Sequence, residues 1–138
     1  MNLMSSTLML EDTGVPFDEL QAEQIARFRA AWSAAGHAWE PRVAVTRSVI
    51  PLTSAEDREY FGLSALREGS DQVGVIDGAV ARAGKSYVGT PDVIARQLAE
   101  DAAVAAADTL LVTVPNMLGV DYNTRMLGTI MREIAPAL

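Results

Sequence analysis

The chain has 138 residues, enough for one domain with one core, and its 49% apolar and 21% charged residues exclude an intrinsically disordered polymer. Its net charge of -7, with no cluster of Lys or Arg, argues against nucleic acid and against an anionic membrane surface as partners. It has no cysteine, which excludes disulfides, thiolate metal sites and thiol catalysis; no apolar run approaches the ~20 residues that span a bilayer, and no basic signal-peptide start precedes the first strand, so the expected location is the cytoplasm.

Residues 3–6 read as a short apolar strand that ends in hydroxyls, with almost nothing in front of it. A loop punctuated by Gly14 and Pro16 follows. Asp18 is placed to cap a helix, with Gln21 three residues on as its capping-box partner. Leu20, Gln24/Ile25, Phe28 and Ala31/Trp32 make one apolar stripe at helical spacing, opposite Glu19, Glu23 and Arg27, and Gly36 is the expected stop. Pro41 opens the strongest strand signal, residues 42–50, rich in β-branched side chains and stopped by Pro51. Ser54 is placed to cap a short helix over 55–61, ended by Gly62. Over 63–84 the pattern is broken by Gly69, Gly74, Gly78 and Gly84 and suggests one or two short helices joined by loops. Thr90, Pro91 and Asp92 spell a helix start, with Val93, Ile94 and Leu98 as its buried stripe. The alanine-rich stretch 102–107 fits the end of a tightly packed helix. Residues 108–115 form a third strand of near-continuous apolar character, as expected where both faces are covered. Asp121 caps a last helix, 122–134, with Met126, Leu127, Ile130, Met131 and Ile134 on its buried side. Strands that alternate with helices predict an α/β fold of parallel strands joined by right-handed crossovers.

Several stretches, taken in order, carry a family resemblance: Met4-Ser5-Ser6-Thr7, residues 17–25, Val43 to Pro51, Gly89-Thr90-Pro91-Asp92-Val93-Ile94 and Leu110 to Asn116. Their order and spacing resemble the C-terminal part of the bacterial luciferase-like flavin-dependent monooxygenases and oxidoreductases. The resemblance spans essentially all 138 residues. It implies the sixth to eighth strands of a (β/α)8 TIM barrel at residues 3–6, 42–50 and 109–114. The barrel would then be incomplete: a single truncated domain without the family's phosphate-binding segment and inactive alone. The implied cofactor is FMN or a deazaflavin, or none in so shortened a chain. A homo-oligomer (a dimer), or a partner chain supplying the missing strands, is implied by the need to cover an open sheet. The alternative is a non-catalytic α/β assembly domain.

In a β/α barrel, chemistry sits at the carboxyl ends of the strands. Those positions are Ser5 and Ser6, Arg47 and Ser48, and Pro115 with Asn116. By resemblance, Ser5 and Ser6 contact a flavin; otherwise they end a strand and satisfy loop backbone. Arg47, inside an apolar strand, must be paired or must face a cleft. It holds an anionic substrate or a flavin carbonyl, or it pairs structurally with Glu11, Asp12 or Asp121. Asn116 binds substrate or caps the following loop. His37, the only histidine, lies at the end of a helix, opposite to the expected active end. One histidine and no cysteine make a transition-metal site improbable. Gly89 and Thr90 read as a cap, although a helix start can also bind phosphate.

Overall fold

A computed structural model describes residues 2–5, 8–9, 14–65, 71–76, 78–115 and 117–138. The chain is α/β, with a sheet of parallel strands alternating with helices, and it divides into two compact units. Among the described residues no helix is long and apolar enough to cross a membrane.

The first unit comprises Met1–Thr46, Asp71–Gly84 and Asp101–Leu111. Strand β1 (Leu3–Met4) runs parallel to the start of β3 (Val43–Pro51), with Leu3 beside Val43 and Met4 beside Ala44. Between them α1 (Phe17–Ala34) buries Phe17, Gln21 and Ile25. Ile25 packs with Val43, Val45 and Ala103, and Leu3, Phe28, Val104 and Leu110 extend this cluster. Gly36 ends α1 as expected: it adopts φ +75°, which only glycine takes at little cost, and its N–H returns to the Ser33 carbonyl.

The N-terminal end of α1 departs from the expected capping box. Asp18 sits inside the first turn, and the Phe17 N–H is taken by the Asp71 carboxylate at 2.9 Å. Asp71 also holds Arg82 at 3.1 Å. The Asp18 carboxylate accepts the Ala102 N–H, at the start of α4 (Ala102–Ala106). That short helix is separate, not the tail of a longer one, because the Asp101 side chain caps it through the Val104 N–H.

Residues 63–84 also differ from expectation. The described part is a hairpin, β4 (Gln72–Ile76) with β5 (Ala79–Ala83), paired antiparallel from Gln72–Ala83 to Ile76–Ala79. Strand β2 (Leu8–Met9) flanks β5, so β4 is the outer strand of this sheet, and all five of its residues are exposed. The sequence Asp77-Gly78 is the strongest short hairpin signal, and Gly78 has φ +81°.

The second unit comprises Arg47–Ser70, Lys85–Glu100 and Val112–Leu138. The end of β3 pairs in parallel with β6 (Tyr87–Gly89), a strand absent from the sequence reading. Helix α2 (Ala55–Ala65) runs through Gly62 instead of stopping there. Helix α3 (Pro91–Ala99) starts where Thr90 and Pro91 predict and buries Ile94, Ala95 and Leu98. Helix α5 (Gly119–Thr129) continues as a π-helical turn, Ile130–Ile134. Tyr122, Met126, Ile130 and Ile134 are buried, whereas Leu127 and Met131, expected on the same side, are exposed.

Strand β7 (Thr109–Thr113) pairs with β3. Leu110 packs onto the first unit's core cluster, but Leu111 stays 41% exposed, so the expectation of two covered faces fails for this strand.

Candidate functional site

Strand parity decides which side chains can meet a ligand. Along β3 the odd positions Val43, Val45, Arg47 and Val49 are buried, and the even positions Ala44, Thr46, Ser48 and Ile50 are half-buried. The odd row lies under helices at its amino end, where Val43 and Val45 meet Ile25 and Ala103. The even row is the less covered face. Leu111 and Thr113 of β7, both exposed, have the parity opposite to the core residue Leu110.

This separates the residues singled out from sequence. Ser5 is buried, and its hydroxyl donates to Gln24 Oε1 on α1 at 2.8 Å while its N–H bonds the Ala44 carbonyl. Its polar groups therefore fasten a helix to a strand. Arg47 is 4% exposed and belongs to the buried row of Val45 and Val49. Ser48 belongs to the opposite row, and its hydroxyl shares a 2.8 Å hydrogen bond with that of Thr113. The Thr113 hydroxyl also reaches the Arg47 carbonyl. Ser6 and Asn116, with Glu11 and Asp12, lie outside the described residues. Thr113 was not recognised from sequence. The signal available was its even spacing from Leu111 on a strand whose Leu110 is core.

Below the carboxyl end of β3, a polar network ties α2 to α5. Asp57 is 3% exposed. Its Oδ2 accepts the Thr53 N–H, the Thr53 hydroxyl and the Ser54 N–H, while Ser54 Oγ accepts the Asp57 N–H. This is a reciprocal helix cap, so the expected role of Ser54 stands. Its Oδ1 accepts the Tyr122 hydroxyl at 2.6 Å. Arg125 lies over the Tyr122 ring, pairs with Glu56 at 2.8 Å and approaches Asp57 at 3.8 Å. Burial opposes ionisation of Asp57, but the hydrogen bonds from Tyr122, Thr53 and Ser54 outweigh it and hold the carboxyl at about 2. Burial, and then the bond to Asp57, push the Tyr122 hydroxyl up from its ordinary value. A saturated anion and a neutral phenol do not exchange protons near neutral pH, so this pair holds structure rather than moving protons. Sequence reading missed Asp57, although Ser54 followed three residues later by an acid is the sign of such a cap.

A third feature lies in the first unit, at the amino end of β3. An open depression of about 680 Å³ is lined by Arg29, Trp32, His37, Trp39, Glu40 and Arg42, among others. His37 is stacked on Trp32, with ring centroids 3.9 Å apart, and Trp39 meets Trp32 edge-on at 4.7 Å. The Trp32 indole N–H donates to the Trp39 carbonyl at 2.7 Å, which fixes the turn between α1 and β3. Asp108 Oδ2 accepts the Val43 N–H at 2.8 Å and pairs with Arg29 at 3.1 Å. The Val43 bond first, and then Arg29 and Arg42 through their charge, outweigh desolvation and lower the Asp108 carboxyl.

Among the described residues no group of three or more His, Cys, Asp or Glu side chains is placed to hold a metal ion. The chain matches no protein-family model, no curated protein and no solved structure.

Proposed function

We propose that the chain acts as part of a luciferase-like flavin-dependent oxidoreductase or monooxygenase, its strands being one arc of a (β/α)8 barrel. The single observation that carries this reading is the arrangement at the carboxyl end of β3. There the paired hydroxyls of Ser48 and Thr113 stand on the less covered face, the face a barrel would turn inward. The parallel β1–β3 and β3–β6 pairs, with helices between strands, are consistent with it. In this reading the flavin, FMN or a deazaflavin, supplies hydride transfer or oxygen activation. With the Thr113 hydrogen on the Arg47 carbonyl and the Ser48 hydrogen on Thr113, the two oxygens keep lone pairs that accept a hydrogen bond from an N–H at the polar edge of its ring. Ser5 holds α1 to the sheet through Gln24, and Arg47 belongs to the buried row, so in this reading neither touches the ring. The phosphate is bound by residues of other strands, which another copy or another chain brings to the open face. The chain alone therefore has no turnover.

The test is an FMN titration of the purified chain in its native oligomeric state, read by flavin fluorescence. The expected result is weak saturable binding that falls about tenfold in the Ser48→Ala/Thr113→Val double variant, the loss of roughly one net hydrogen bond at each position. Oxidation of NAD(P)H or of reduced flavin stays at the blank rate. Failure of FMN to bind at all sinks the flavin reading. The exposure of Met4 (63%) and Leu111 (41%) then favours the second one, a non-catalytic α/β assembly domain whose sheet is covered by a partner.

A further inference from the structure

We propose that the depression at the amino end of β3 is a binding site for a planar aromatic anion of the nucleoside monophosphate class. This goes beyond the flavin reading and rests on different residues.

Four observations carry it. The first is concentration of aromatic surface. The chain has two tryptophans, and both line this one depression with the sole histidine. Trp39 keeps 49% of its surface exposed although it touches Trp32. An indole held at a fixed angle with an open side is a stacking platform, because every nucleobase has a π-face to lay on it. The second is charge. The Arg42 guanidinium makes no hydrogen bond or ion pair among the described residues, and it borders the aromatic wall. A planar fork of N–H donors next to a stacking surface suits an anionic oxygen group, phosphate above all.

The third is preorganisation. Arg29 is already positioned by Asp108, whose carboxylate is itself anchored on the Val43 N–H. The pair is neutral overall, so it fixes the geometry of a second guanidinium at the depression while Arg42 supplies the charge. Trp32 is fixed likewise, by its indole N–H to the Trp39 carbonyl and by His37 stacked on its ring. The fourth is size. A depression of about 680 Å³ lies within the ~300–1,000 Å³ typical of small-molecule sites, so a base, a ribose and one phosphate fit together. Glu40 and Ser33, also on its rim, offer an acceptor and a hydroxyl to the ribose or to an exocyclic amine.

A purely structural role accounts for the Trp32–Trp39 hydrogen bond and for the Asp108–Arg29 pair. It does not account for an exposed guanidinium, bound by no hydrogen bond among the described residues and near Asp108 only through its charge, beside a half-open indole in a chain whose net charge is -7.

The two tryptophans make the site its own reporter. The experiment is titration of the full chain with adenosine 5′-monophosphate, read by tryptophan emission. The expected result is saturable quenching. The apparent affinity falls about tenfold or more in Arg42→Gln, and as much when adenosine replaces the monophosphate, because each change removes a charge-assisted contact. Arg42 is exposed, so Arg42→Gln keeps its fold, which far-ultraviolet circular dichroism verifies. Trp39→Ala, with Trp32 still reporting, weakens binding by a similar factor through lost stacking. Absence of saturable quenching overturns the proposal. So does equal binding of the monophosphate by the parent chain and Arg42→Gln, or saturable binding of tetramethylammonium in its place, which would make the rings and Glu40 a cation cage. Failure here and failure of the flavin reading are distinguishable, since flavin bound through Ser48 and Thr113 is insensitive to Arg42→Gln.

Discussion

Asp57 gathers more donors than a helix cap requires. Three of its hydrogen bonds organise the turn into α2, and the fourth, from Tyr122, reaches α5, 65 residues away in sequence. Its carboxyl stands at about 2 in the folded chain against an ordinary 3.8. A depressed folded value means that the ionised form favours the fold: the stabilisation is present above the unfolded value and is lost as pH falls through the folded one. The difference corresponds to about 2 kcal/mol at neutral pH, lost between about pH 4 and pH 2. Asp57→Asn should therefore lose about 2 kcal/mol in urea unfolding at pH 7 and show a flatter acid limb across that window. Tyr122→Phe keeps the ring under Arg125 and removes one donor. It should cost about 1 kcal/mol, with the acid limb displaced to higher pH as Asp57 returns toward its ordinary value. Unchanged acid limbs in both variants would show that the network contributes nothing through charge.

At the scale of elements, the legible signals were those whose physics closes within a few residues. Gly36 ends α1 because a left-handed residue is needed there, and Gly36→Ala should cost about 1 kcal/mol in thermal unfolding. Ser54 and the Thr90-Pro91 pair mark helix starts for the same local reason. The caps read wrongly have distant partners. Asp18 serves Ala102, 84 residues on, and Phe17 is served by Asp71, 54 residues on, so no local window contains them. The hairpin of β4 and β5 is hidden in the sequence because glycine is a breaker of helices and strands alike, whereas Gly78 here makes the turn. Alternation along β3 was visible, but not which row the helices cover, because Arg47 sits in the apolar row and Ser48 beside Ile50 in the other. Both alternatives for Ser5 and Arg47, ligand contact or structural partner, are therefore open in the sequence; the structure adds that Ser5 bonds Gln24 and that Arg47 lies in the buried row. Strand β4 leaves one edge free of β5 and exposes Val73 (58%) and Val75 (73%), an invitation to unwanted strand pairing. Val75→Lys should slow aggregation at high concentration, measured by light scattering, and leave the melting temperature within about 2 °C, as expected for a surface substitution.

At the scale of the whole molecule, the unbalanced quantity is apolar surface on one face of the sheet. Scattered exposed hydrophobics are ordinary, but Met4 and Leu111 are not scattered. Met4 lies in register with Ala44, and Leu111 lies on β7, which also pairs with β3, with parity opposite to the core residue Leu110. These side chains are therefore aligned on the face that the α1 and α4 helices do not cover. An exposed apolar face of this kind favours association. We predict concentration-dependent association of the chain in sedimentation velocity. Leu111→Lys should shift it to monomer without changing its far-ultraviolet circular dichroism, because the side chain is 41% exposed and does not belong to the core cluster. The same variant bears on function. If the flavin seat is completed by a second copy, weak FMN binding falls with the oligomer in Leu111→Lys, although Ser48 and Thr113 are intact. If FMN binding survives in the monomer, one chain supplies the whole seat and the open face serves association alone. A parent chain that stays monomeric at all concentrations would leave a partner of different sequence as the cover. A pull-down with Met4→Lys/Leu111→Lys as the negative control would then be the way to find it.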